Sequence, residues 1–275
     1  MRLGIFVLLL LSQVVVAGDL DRVSDKIKES QPSEPKKKRP HRHHDHDCDD
    51  DGGEDFLSSL LGPPIFITVT SPWWIPHVAV GDDFEISAYF ADYPYQDPLP
   101  GYLTRDADLF NQTDDWAGRI STEYATDFSG LERIGTDLLI ENSSRIAVDA
   151  EFNSWFEDLP TGKEDAYSGD VNLVYRFAQS ETVQFHSGIG VNWFANDGRG
   201  DAGFNFTYGA TLFPVKPFVI QTELDAGNVG SAGLFHFNTS IGVILNRFEA
   251  FTGYDYTSIG GVPLQGWTAG FTIWF

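Results

Sequence analysis

The last stretch of the chain alternates with a period of two. Trp267, Ala269, Phe271, Ile273 and Phe275 fall on one face, and Gly266, Thr268, Gly270 and Thr272 on the other. Successive side chains of an extended strand point to opposite faces, so the pattern predicts a strand with one apolar and one small or polar face. The same rhythm recurs upstream. Val183, Phe185, Ile189, Val191 and Trp193 alternate with Gln184, His186, Gly188, Gly190 and Asn192. Phe235, Phe237, Ile241, Val243 and Leu245 alternate with His236, Asn238, Ser240 and Gly242. Ten strands are predicted, near 117–127, 131–141, 145–157, 167–178, 182–195, 202–213, 217–226, 232–245, 247–258 and 264–275. Each is long enough to cross a bilayer at a tilt, for which ~9–11 residues suffice.

The orientation of the two faces decides the fold. The apolar face carries Phe, Trp, Leu and Ile, too bulky for ten strands to enclose, whereas the other is rich in Gly, Thr, Asn, Glu and Asp. A soluble barrel would turn the polar face outward. An apolar belt turned outward aggregates in water and needs lipid around it. The expected fold is therefore all-β: a closed antiparallel up-and-down transmembrane β-barrel. Ten strands are expected, with eight or twelve as the alternatives; a two-layer sandwich is the competing architecture. The links at 141–144, 179–181, 214–217 and 246–247 read as tight turns, and those at 158–166, 195–201, 227–231 and 259–265 as longer loops. Membrane barrels alternate short and long connections in this way. Trp155, Phe156, Tyr167, Trp193, Tyr254, Tyr256 and Trp267 lie towards one set of strand ends, and Phe177, Phe213, Phe218, Phe248, Trp274 and Phe275 towards the other. Two interfacial aromatic belts are the expectation.

A closing strand that ends on Phe275, together with the strand rhythm and the turn asymmetry, resembles the small outer-membrane β-barrel proteins over residues 117–275. The resemblance implies an integral outer-membrane protein surrounded by outer-membrane lipid. It also implies a barrel-assembly machinery as partner, with Phe275 part of the signal that machinery reads. The other end of the chain agrees with export. Met1 and Arg2 precede an apolar run from Ile5 to Val16, and small residues follow. Residues 1–17 read as a signal peptide cleaved after Ala17, the run being too short for a transmembrane helix.

Two further segments separate the leader from the barrel. Residues 18–62 are charged and His/Asp-rich and read as a disordered linker, because so few apolar groups cannot offset chain entropy. Residues 63–116 form an aromatic, Pro-rich extension with strand character at 65–70 and 84–90; extra strands, a plug, or packing on the barrel base are the alternatives. The net charge of −22 excludes a nucleic-acid binder, which needs a basic footprint. Cys48 is the sole cysteine, so no internal disulfide forms. With His41, His43, His44 and His46 it makes a cluster suited to loose divalent-metal binding, but without the spacing of a zinc site. A solvated linker is the simpler reading, and no dedicated cofactor is expected.

The inward face holds the candidate chemistry. Arg119, Glu123, Asp137, Asp149, Glu151, Arg176, Glu223 and Asp225 face the lumen by parity, as do Glu141, His186, His236, Glu249 and Asp255. Small barrels are filled by their own side chains, so an ion-pair network is expected, with Arg119 and Arg176 held by carboxylates. His186 and His236 lie at different depths with no nucleophile nearby, so no acyl-transfer site is visible and no enzyme is expected. The expected function is a structural or surface-interaction role with a mostly filled, acidic lumen. The first alternative is a porin-like channel for small solutes or cations, and the second an outer-membrane hydrolase.

Overall fold

The computed structural model describes residues 18–29, 70–82, 88–106, 109, 114–160, 162–196 and 198–275. In chain order these hold helix α1 (Asp19–Glu29), helix α2 (70–80), and the short strands β1 (Tyr89–Phe90) and β2 (Leu103–Thr104). Ten long strands follow: β3 (Trp116–Thr126), β4 (Leu131–Asn142), β5 (Ile146–Leu159), β6 (Gly162–Gln179), β7 (Val183–Asn196), β8 (Arg199–Val215), β9 (Phe218–Val229), β10 (Ala232–Leu245), β11 (Phe248–Ile259) and β12 (Val262–Trp274).

β3 to β12 form one closed antiparallel barrel in which each strand pairs with its chain neighbours. β12 closes on β3 in register from Trp267↔Thr126 to Trp274↔Arg119. Phe275 continues that seam: its N–H donates to Gly118 O at 2.9 Å, and Gly118 N–H donates to Phe275 O at 2.6 Å. Closure leaves no strand edge unpaired, the condition for a sheet to stand in hydrocarbon. The alternation resolves as expected, with Phe271 67% and Ile189 59% exposed on the outer wall, and Thr272 and Asn205 fully buried inside.

The loop asymmetry is corrected. At the mouth where the barrel begins and ends, here the terminal mouth, the connections are 143–145, 180–182, 216–217 and 246–247. At the opposite, far mouth they are 127–130, 160–161, 197–198, 230–231 and 260–261, which are just as short. The strands run on through the polar stretches that read as loops, pairing Glu157 with Glu164 and Asp158 with Lys163. Paired backbone does not need apolar side chains once the strand leaves the apolar belt. Gly260 and Gly261 then close the last hairpin at φ +59° and +84°, a left-handed pair that two-residue turns require.

The aromatic belts are corrected as well. Trp155, Phe213 and Trp274 point inward and are almost fully buried, each capping one end of the lumen. Phe156, Tyr167, Trp267, Phe218, Phe248 and Phe275 are exposed on the outer wall.

Part of the segment read as disordered is helical. In α1, Leu20, Val23 and Ile27 line one face, and the pairs Arg22–Asp19, Lys26–Glu29 and Lys28–Asp25 brace the other. Its apolar face is buried on the far mouth against Leu131, Trp155, Phe194, Ile259, Val262 and Leu264. Of the strand character read at 65–70 and 84–90, residues 65–69 and 84–87 lie outside the described residues. Thr70 belongs to α2, and only Tyr89–Phe90 is strand. The stretch 88–106 plugs the terminal mouth: Phe90, Tyr95, Leu99, Tyr102 and Leu103 pack on Phe213, Val219, Ile244 and Trp274.

Candidate functional site: the polar lumen and its two ends

Inward-facing residues of the ten strands build a polar network in two layers. Towards the far mouth Arg133, from the start of β4, is its centre and is 1% exposed. Its guanidinium donates to Glu123, to Glu151 at 3.2 Å, to Asp255 at 3.0 Å and to Asn153 at 3.1 Å. It also lies 5.3 Å from the Trp155 ring centroid. These partners come from β3, β5 and β11, so one side chain ties strands on both sides of the barrel seam. His236 extends the layer, with Nδ1 2.9 Å from Asp225 and Nε2 2.9 Å from Asp255. Asn205 donates to Asp225 at 2.9 Å and to Asn172 at 3.0 Å, and Asn172 donates to Asp170 at 2.7 Å. Asn192 closes this chain of amides on Asn205 at 3.0 Å.

Nearer the terminal mouth Arg119 of β3 reaches Thr211 of β8 at 3.5 Å. Those strands are five places apart in a cycle of ten, so the contact spans the lumen's diameter. Arg119 also stands 3.6 Å from Asp137 and 5.8 Å from the Trp274 ring centroid. Glu249 accepts from Trp274 Nε1 at 2.9 Å and from Gln221 at 3.1 Å. His186 Nε2 lies 3.5 Å from Glu223. A cavity of about 80 Å³ remains between the layers, lined by Arg119, Asp137, His186, Glu223 and His236 among others.

Small residues make room for these long ones. A Cβ on Gly242 would stand 2.2 Å from Glu249 Oε1, and one on Gly209 would stand 2.4 Å from His186 Nε2. Glycine on the polar face is thus the steric counterpart of a charged neighbour.

The sequence-predicted residues fall out as follows. Arg119 meets Asp137, Glu123 and Glu151 meet Arg133, Asp225 meets His236, and Glu223 meets His186. Asp149 is buried, and its Oδ1 has no hydrogen-bond partner among the described residues. Arg176 stands apart at the terminal mouth, where it donates to Glu141, to Gln179 at 2.7 Å and to the Asn142 carbonyl at 3.1 Å. His41, His43, His44, His46 and Cys48 lie outside the described residues. Among the described residues no group of three or more His, Cys, Asp or Glu side chains is arranged to hold a metal ion. The residue that sequence reasoning missed is Arg133. Its signal was parity, since it sits two steps of two before Asp137 on the same inward face.

The plug in the terminal mouth is stitched by backbone as well as by packing. Tyr102 N–H donates to Glu181 O at 3.1 Å and Ala88 N–H to Ser143 O at 3.3 Å. Tyr95 O–H donates to Phe218 O at 2.5 Å, and Lys216 Nζ donates to Tyr95 O at 3.0 Å. Gly101 lies so close to the wall that a Cβ there would stand 1.9 Å from Glu181 O. The Tyr102 ring meets Trp274 edge-on at 5.1 Å. Burial pushes the Tyr95 phenol up to about 12. Tyr102 moves further in the same direction, through burial first and the Glu141 carboxylate second. Beside the plug, Arg145 clamps Asp82 through two bonds of 2.6 and 3.1 Å, fixing the end of the α2 segment to the mouth.

No protein-family model and no curated protein matches the chain. Among solved structures it is similar to the outer membrane protein Ail of Yersinia pestis in a phospholipid bilayer nanodisc, at 16% identity and a TM-score of 0.32, over 58% of this chain and 99% of that one. It is similar to Neisserial surface protein A at 9% identity and a TM-score of 0.28, over 57% and 94%. It is also similar to CdiB from Acinetobacter baumannii at 9% identity and a TM-score of 0.26, over 60% of each chain.

Proposed function

We propose that this chain is an integral outer-membrane barrel with a structural or surface-interaction role, and that its lumen is closed. The observation that carries the reading is the contact of Arg119 with Thr211 across the full diameter, inside a wall whose large apolar side chains face outward. An outward belt of Phe, Ile, Val and Trp suits lipid and not water. The Arg133 layer and the 88–106 plug obstruct the same axis twice more. The terminal mouth then faces the periplasm, from which Phe275 would be read during assembly. Against catalysis stands the engagement of both His236 ring nitrogens by carboxylates, which leaves no free nitrogen to serve as a base.

Planar-bilayer recording of the purified full chain tests the closed lumen. Silence with brief, rare openings is expected, and a steady open level would establish the channel reading instead. Gel mobility tests the membrane barrel itself. The unboiled protein should migrate apart from the boiled one and partition with membranes; equal mobility and recovery in the soluble fraction would refute it.

A further inference from the structure

Helix α2 is mounted on the outer wall. Trp73 Nε1 donates to Ser187 Oγ at 2.9 Å, and Ser187 faces outward with Ile189 by the parity of β7. The Trp73 ring meets Phe206 and Tyr208, outward-facing residues of β8, edge-on at 6.1 and 6.4 Å. The C-terminal end of the segment is held at the terminal mouth, where Asp82 accepts from Arg145 and from the Gln179 N–H at 3.3 Å.

The contact is built for a medium without water. In a regular helix the N–H of residue 76 bonds the carbonyl of residue 72. Pro76 has no N–H, so the Pro72 carbonyl loses that partner. Tyr208 replaces it, its O–H donating to Pro72 O at 2.7 Å. In water that carbonyl needs no protein donor, whereas in hydrocarbon it does. Ser187 satisfies the Trp73 N–H in the same way. Thr70 to Val80 contains no Asp, Glu, Lys or Arg. Its one ionisable side chain, His77, stands 3.5 Å from Asp82 at the mouth end.

The large side chains that α2 leaves exposed are apolar: Trp74 is 45%, Ile75 50% and Val78 68% exposed. A helix on a watery surface turns polar residues outward; one that is apolar all round is covered all round. Three side chains about half exposed, none larger than ~250 Å², fall far short of the ~800 Å² per partner of a stable protein interface. The wall around them is the outward apolar wall itself. It is hollowed into an open groove of about 320 Å³ that shares Ser187 and Phe206 with Trp73 and is lined by Ile146, Leu173, Tyr175 and Ile189. Fluid acyl chains fill such relief without having to match it, and Trp belongs where hydrocarbon meets headgroups.

We propose that α2 is a membrane anchor lying in the leaflet at the terminal mouth, with Trp73 seated on the barrel and Trp74, Ile75 and Val78 in contact with phospholipid acyl chains. This rests on the reading of the chain as a membrane barrel. Through Asp82 and Arg145 the anchor holds the chain ahead of the 88–106 plug beside the mouth that the plug fills.

The test reads the surroundings of position 78. Three full-length proteins carry Cys48→Ser and one new thiol each: Val78→Cys on α2, Phe271→Cys on the outer wall, and Lys163→Cys on an exposed far-mouth hairpin. Each thiol receives the same polarity-sensitive fluorophore, and the proteins are reconstituted into phosphatidylcholine vesicles. Val78 lies one helical turn before Asp82, so its label should sit at a shallow depth. The expected result at Val78 is at least twofold quenching by phosphatidylcholine that carries a nitroxide near the headgroup end of its acyl chain, and less by a nitroxide near the acyl terminus. With iodide on both sides of the membrane, quenching at Val78 should be at least threefold weaker than at Lys163. Equal iodide quenching at the two positions would overturn the proposal, because the helix would then lie in water. Protection from iodide without nitroxide quenching would overturn it too, and would assign the cover to protein, either a second copy or another part of this chain. If the label at Phe271 is itself quenched by neither lipid nitroxide, the membrane reading falls and the proposal with it, by a result separate from the one at Val78.

Discussion

Replacing Arg133 by Met is the sharpest test of the lumen network. The side chain is 1% exposed and donates to three carboxylates, Glu123, Glu151 and Asp255. Met fills a similar volume but leaves those carboxylates facing one another. Removing one partner of a buried ion pair costs about 3–5 kcal/mol, because the remaining charge stays buried and uncompensated. His236 still holds Asp255, so the lower half of that range is expected. With an unfolding slope of ~2 kcal/mol per M, the urea midpoint in lipid vesicles should fall by roughly 1.5–2 M, read from tryptophan fluorescence and from the unboiled gel band. Two controls separate charge from shape. Arg133→Lys keeps the charge but loses the planar fork that reaches several acceptors, so it should fall between wild type and Met. Adding Glu123→Gln to the Met variant removes one of the stranded carboxylates and should recover part of the loss. Acid provides a further check: the penalty requires ionised carboxylates, and burial without a cation makes them take up protons more readily, so it should shrink as pH falls from neutral towards the ordinary carboxylate range of about 4. A midpoint within ~0.3 M of wild type at neutral pH would mean that Arg133 is not the electrostatic centre of the layer.

Other outcomes follow from the two mouths and the seam. Deleting Phe275 removes a backbone pair with Gly118 and should lower the amount of assembled barrel in outer-membrane fractions more than it alters the thermal stability of what does assemble; normal levels would argue against its role in assembly. Gly101→Ala places a methyl group against the Glu181 carbonyl. It should free the 88–106 plug to limited proteolysis while the barrel stays heat-modifiable, and a protected plug would show that the wall yields. The Tyr102 hydroxyl is buried with no hydrogen-bond partner among the described residues. Tyr102→Phe should therefore stabilise the protein by about 1 kcal/mol in thermal melts, and a loss of that size would reveal a partner. Because burial raises the Tyr102 phenol above its ordinary 10.0, its contribution is fully present below pH 10 and is lost as pH rises beyond it. Proteolysis of the plug should accelerate above pH ~10 in wild type and less in Tyr102→Phe, and equal acceleration would assign the effect elsewhere.

The barrel was legible in the sequence because its signal is local. Trp267 to Phe275 alternate whatever the rest of the chain does, and the predicted strand positions fall within a few residues of β3 to β12. Inward and outward faces follow from the same parity. What was not legible depends on distant partners. Residues 158–166 looked like a loop because nothing local shows that polar residues there pair across a hairpin. Trp155, Phe213 and Trp274 looked like interfacial aromatics. Only the presence of α1 and the 88–106 segment gives their inward rings something to pack on. α1 itself has three apolar residues in eleven, too few to predict a fold. Its docking surface is assembled from five hairpins. In the lumen, parity identified which residues face inward but not which of them meet, because that depends on the stagger of strands around the closed sheet.

That last gap bears on what the polar lumen is for. The outer wall, if lipid surrounds it, packs against fluid chains that accept one apolar side chain about as well as another. A slip of one residue in any strand pair would turn charges into the lipid, but a slip of two keeps every side chain on its proper face. It shifts the strand by about 6.6 Å relative to its neighbour. The outer face cannot distinguish the two registers, whereas the lumen can. After such a slip Arg133 no longer reaches Asp255, Glu249 no longer lies over Gly242, and His186 meets a side chain other than Gly209. The contact between Arg119 and Thr211 adds the same constraint across the diameter, and so selects the stagger of all the strands between them. The charged network therefore supplies register information that an apolar filling of the same volume would not. On this view the lumen's cost in buried charge is offset by specificity of assembly, which is the property a chain needs when the face that drives its insertion is indifferent to alignment.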